Sequence, residues 1–83
     1  MKDAFVIFRT QMGFGKLYWC DRGKSLWATE QAMRDGCEIK LLDTHDDVIF
    51  EMSKIKEKYP EVACDDFTVT TLERVNEEFG RGI

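Results

Sequence analysis

The stretch Leu17–Trp27, LYWCDRGKSLW, holds two Trp, a Tyr, a Cys and the triplet Gly23-Lys24-Ser25 within eleven residues. Its first half, with Lys16, alternates as a strand does. Leu17 and Trp19 share one face, and Tyr18 and Cys20 share the other. Asp21-Arg22-Gly23-Lys24 then reads as a turn. Upstream, Ala4-Phe5-Val6-Ile7-Phe8 is rich in β-branched and aromatic residues and reads as a strand buried on both faces. Between the two strands lies Gln11-Met12-Gly13-Phe14-Gly15, whose glycines suit positive φ. The first twenty residues therefore read as a β-hairpin.

Downstream, Ser25–Asp35 reads either as a short helix, capped by Ser25 and stopped by Gly36, or as an extended irregular run. Cys37, Ile39 and Leu41 alternate with Glu38 and Lys40, the pattern of a half-buried strand. The next element is a helix. Thr44 suits its N-cap and Asp46 and Asp47 its first turn, where the macrodipole favours negative charge. Val48, Met52, Ile55 and Tyr59 form one apolar stripe, three lysines follow in the last turns, and Pro60 ends it. Phe67–Thr71 favours β structure. Thr70 with Glu73 resembles a capping box, so the chain ends either strand-then-helix or as one longer strand. Residues 80–83 read as a frayed tail. The expected fold is one α+β domain over residues 1–83: a small antiparallel sheet that opens with a hairpin, packed on one main amphipathic helix.

Composition agrees with a globular domain, at 43% hydrophobic and 34% charged residues. No apolar run is long enough for a membrane span or a leader, so a cytoplasmic location is expected. Three cysteines at wide spacings, Cys20, Cys37 and Cys64, are not a secreted disulfide framework and read as small buried thiols. Charge is uneven. Residues 1–42 carry seven Lys/Arg and five Asp/Glu, whereas residues 43–83 carry five against eleven. That balance argues against nucleic acid, whose phosphates need cations, and favours a partner with a basic surface.

Each chemical motif fails at a residue its chemistry needs. A phosphate loop ending in Gly23-Lys24-Ser25 needs glycine at position 18, where Tyr18 stands. Gly13-Phe14-Gly15 lacks the third glycine of a dinucleotide turn and lies inside a hairpin. Met12–Trp19 resembles the aromatic motif of RNA-recognition and cold-shock domains, but Met12 replaces its basic residue and Lys16 a stacking Phe. Cys20, Cys37, His45 and Cys64 as a zinc set have no closely spaced pair. An EF-hand counted from Asp43 meets Val48 and Lys54 where Gly and Glu are required. No catalytic residue, cofactor or metal ligand is assigned.

Trp19 and Trp27 bracket the turn. As large aromatics they suit the cap of a small core. The sharper alternative leaves one exposed, with Tyr18 or Phe14, as an interface anchor. With one helix covering one sheet face, the doubly apolar first strand hints at a cover for the other. Candidate contact residues are thus Phe14, Tyr18, Trp19 and Trp27, with Asp46, Asp47, Glu51 and Glu57 as exposed acids.

The run FVIF…YWCD.G…W.T..QA…DT..D, followed by an amphipathic helix ending at Tyr59-Pro60 and then Phe67-Thr68-Val69, resembles the small accessory proteins of bacteriophages and prophages. That resemblance implies a catalytically silent protein that binds a host or phage protein, as inhibitors of bacterial defence systems do. It assigns no residue a role. The function expected is stoichiometric protein binding, inhibitory or regulatory. The alternatives are single-strand nucleic-acid binding through the hairpin aromatics and a small structural zinc domain.

Overall fold

The computed structural model describes residues 3–22, 25–60 and 67–81. Within them the chain runs β1 (Phe5–Gln11), β2 (Gly15–Arg22), β3 (Ser25–Ala28), α1 (Glu30–Arg34), α2 (His45–Lys58), β4 (Phe67–Thr71) and α3 (Leu72–Phe79). The strands form one antiparallel sheet in the order β3-β2-β1-β4. The hairpin pairs Phe8 with Tyr18 and Gln11 with Gly15. β4 returns to the far side of β1, pairing Val6 with Thr70. The fold is the α+β domain expected from the sequence, with a sheet on a main helix.

Alternation along the two central strands divides the core. Val6, Tyr18 and Cys20 face one side, where Met33 of α1 and Val75 and Phe79 of α3 cover them. Ile7 and Trp19 face the other, where Val48, Met52 and Ile55 of α2 pack with Leu42 and Phe67. The second sheet face, whose cover the doubly apolar first strand hints at, is therefore closed by the chain's own short helices. The stripe Val48–Met52–Ile55–Tyr59 turns inward as its spacing requires. Thr44 Oγ1 accepts from Asp47 N at 3.1 Å, Asp46 and Asp47 stand in the first turn, and the helix stops before Pro60.

Four sequence expectations are corrected. The half-buried strand at 37–41 does not form: among the described residues the connector's backbone meets the sheet at Lys40, whose N donates to Trp19 O, and at the reciprocal Phe5–Leu42 bridge. The edge beside β2 is taken instead by β3, which Trp27 pins by pairing with Trp19. The short helix begins at Glu30 under a Thr29 cap, because Ser25 lies in β3. The last helix is capped by Thr71, whose Oγ1 accepts from Arg74 N, because the strand pairing runs on through Thr71 opposite Phe5 and keeps Thr70 inside β4, one residue short of the helix start. Gly80, at φ 64°, closes α3, and Arg81 N donates to Asn76 O at 2.8 Å, so these two residues are tied down. Residues 82–83 of the expected tail, and Gly23-Lys24 of the second turn, lie outside the described residues.

Gly15 joins the hairpin to α1. Its φ is +77°, and a Cβ there would overlap Glu30 Oε2, on the same carboxylate that receives Lys16 N. Gly15→Ala is expected to cost about 1–3 kcal/mol of stability, from the left-handed backbone and the displaced Glu30 together. Urea unfolding of the variant against the wild type measures it.

Candidate interaction surface

The aromatics of Leu17–Trp27 are placed by the sheet and not by a ligand. Trp19 is fully buried. Its Nε1 donates to Glu51 Oε2 at 2.7 Å, and its ring meets Trp27 edge-on at 4.9 Å. Trp27 is half-buried, stacked on Phe67 with the Arg9 guanidinium 4.8 Å from its ring centre. Tyr18 is buried on the opposite face, with its hydroxyl 3.4 Å from Glu78 Oε2. Burial first, and the Glu78 charge second, push its ionisation well above the usual tyrosine range. Tyr18 and Trp19 are therefore not contact residues: a buried ring cannot stack on a base or enter a partner's pocket. Phe14 is 61% exposed at the hairpin tip, alone among the four aromatics proposed from sequence.

Glu51 is corrected in the same way. It lies three residues after Val48 and four before Ile55, on the inward side of α2, and is 4% exposed. Its carboxyl faces the Trp19 indole, with Lys54 Nζ 3.8 Å away. Beside it, Asp21 adopts φ 54° where β2 and β3 lose register between Trp19 and Arg22. Asp is one of the few side chains that tolerate that conformation. Its carboxylate receives Lys54 at 2.9 Å, Lys58 at 3.6 Å and Lys40 at 3.9 Å. The hydrogen bond from Lys54 is the largest influence, and with the charges of all three lysines it holds the Asp21 carboxyl below its ordinary value of 3.8. Lys58 also sits 5.8 Å over the Trp19 ring. These contacts clamp α2 to β2 and set the rotation of the helix.

With that rotation fixed, the opposite face of α2 is turned outward. Ile49 is 64% and Phe50 72% exposed. Phe50 stands one turn from Asp46 and two turns from Glu57, and Asp47, also exposed, flanks the same face. Ser53, whose hydroxyl donates to Ile49 O, lines with Ile49, Met52 and Lys56 an open depression next to it. Three of the four acids proposed from sequence thus converge on one helix face. Its apolar centre was missed, although a signal existed: in Val48-Ile49-Phe50 the buried stripe uses only Val48, leaving two large side chains with no place in the core.

The zinc set is not assembled. Cys20 and Cys37 lie together on the α1/α3 side, whereas His45 packs 4.8 Å from the Phe5 ring, which belongs to the α2 side. Cys64 lies outside the described residues, among which no three metal-ligating side chains cluster. No helix among them is long and apolar enough to cross a membrane. Comparison with protein-family models, curated proteins and solved structures finds no match.

The Asp21 clamp has a defined acid response. A carboxyl whose ionisation is depressed by folding contributes stability that is complete above its unfolded value and is lost as pH falls through the folded one. Asp21→Asn, which tolerates the same backbone, is expected to cost roughly 0.5–1 kcal/mol near neutrality. Its difference from the wild type should shrink as pH falls below 3.8. Urea midpoints across a pH series measure both.

Proposed function

We propose that the protein is non-catalytic and acts by binding another protein stoichiometrically through the outer face of α2. The observation that carries this reading is the exposed pair Ile49 and Phe50 on a domain whose sheet is covered on both faces. Adjacent large apolar side chains in water favour burial, and aromatic anchors supply much of the energy of protein interfaces. Asp46, Asp47 and Glu57 flank Phe50, with Lys56 on the Ile49 side, so the fitting partner has an apolar pocket with Lys or Arg on the rim that meets Phe50. The resemblance of the sequence to phage and prophage accessory proteins adds the biological setting: a phage-type inhibitor or regulator of a host protein, of the kind that antagonises bacterial defence, acting in the cytoplasm. Against single-strand binding stands the burial of Tyr18 and Trp19, which leaves Phe14 as the one exposed ring of the proposed stacking platform.

Immobilised wild type and variants, exposed to the same bacterial lysate and then to each retained protein in pure form, test this. Phe50→Ala is expected to weaken binding at least about tenfold while changing stability by less than about 0.5 kcal/mol. Reversal of Asp46, Asp47 and Glu57 to Lys is expected to slow association mainly. Micromolar affinity for a mixed-sequence oligonucleotide, lost in Phe14→Ala, would replace the proposal with the nucleic-acid reading.

A further inference from the structure

We propose that Cys20 and Cys37 form a peroxide-responsive thiol pair that closes to a reversible intramolecular disulfide in the folded protein. The two sulfurs lie 4.0 Å apart, seventeen residues apart in sequence. Cys20 is held in β2, buried against Val6, Tyr18 and Met33. Cys37 is partly exposed at the start of the connector between α1 and α2, which forms no strand and whose backbone bonds to the sheet lie further along, at Lys40 and Leu42. Closing the remaining gap therefore moves a loop residue and leaves the core strand in place. Both thiols open onto one depression, whose mouth is framed by Arg22 and Glu38 joined as an ion pair. This pair of thiols is separate from the α2 face and does not depend on what that face binds.

The environments divide the chemistry. Cys37, the reachable thiol, is the one a small oxidant meets first. Its sulfur attacks a peroxide oxygen. The O–O bond breaks, Cys37 becomes a sulfenic acid, and the departing hydroxide leaves as water with the thiol proton. Cys20 is the resolving thiol. Burial, and then the adjacent Cys37 sulfur, push it up to about 12, so it stays protonated until a leaving group takes its proton. Its sulfur attacks the sulfenic sulfur, the S–S bond forms as the S–O bond breaks, and hydroxide departs with the Cys20 proton as a second water. Two thiols lose two electrons, and one hydrogen peroxide becomes two waters. The product links the connector covalently to β2.

The test treats the folded protein with hydrogen peroxide, alkylates it, digests it and maps the peptides by mass. The expected product joins the Cys20 and Cys37 peptides, two hydrogens lighter than their reduced sum. It separates with dithiothreitol, and the circular-dichroism spectrum is unchanged. Cys64→Ser is expected to give the same product, and Cys37→Ser none, with Cys20 still reduced. The proposal is overturned if Cys37 proceeds to sulfinic acid while Cys20 stays reduced, if Cys37 joins Cys64 instead, or if both thiols in the folded protein resist peroxide.

Discussion

The indole N–H of Trp19 bound to the buried carboxyl of Glu51 at 2.7 Å is the contact on which the arrangement of the domain turns. Each group alone would be costly to bury. An unpaired indole N–H or carboxyl away from water loses its solvation without return. Together they satisfy one another and fix α2 against β2 in one rotation. The adjoining Asp21–lysine cluster reinforces that rotation from the helix's polar side. A helix held only by the apolar stripe Val48–Met52–Ile55–Tyr59 could roll by a fraction of a turn at small cost, whereas a directional hydrogen bond resists such rolling.

The consequence for function follows from geometry. Because Glu51 points in, Phe50 and Ile49 cannot, and the helix shows water a hydrophobic centre flanked by acids. Elsewhere most of the large aromatic rings pack internally, while Met12 and Phe14 stay exposed at the hairpin tip and Trp27 Nε1 is buried without a hydrogen-bond partner among the described residues. Among the described residues, six aromatic ring pairs distribute Phe5, Phe8, Tyr18, Trp19, Trp27, Tyr59, Phe67 and Phe79 into internal contacts. The aromatic richness of Leu17–Trp27 is thus a packing device for a small sheet with helices on both sides. A domain of this size has few other ways to fill a core on each face.

Much of the fold was legible in the sequence because its signals were local. The hairpin glycines, the Thr44 cap, the helical stripe and Pro60 each act within a few residues. The strand at Ser25–Ala28 was not legible, since its four residues lack a pattern and are held by pairing with β2. Conversely, the alternation at Cys37–Leu41 records a connector lying half-buried on the sheet's border and not a strand. Side-chain fates were harder. Tyr18 and Trp19 became buried on opposite faces only because α1 and α3 cover the face left open by the helix the sequence announced. Glu51 could have been read as buried from its place between Val48 and Ile55, where a charge on the inward side of a helix demands a partner. Which residue supplied that partner, an indole thirty-two positions earlier, was a tertiary fact.

A double-mutant cycle on Trp19→Phe and Glu51→Met, read by urea unfolding, tests directly whether this contact governs the packing of α2. Each single change leaves one polar group buried without its partner, and the double change removes both. The account expects a coupling of about 1–3 kcal/mol, with the double variant more stable than the sum of the singles allows. Additivity to within about 0.5 kcal/mol would contradict it and would leave the orientation of α2, and with it the exposure of Phe50, to the apolar stripe alone.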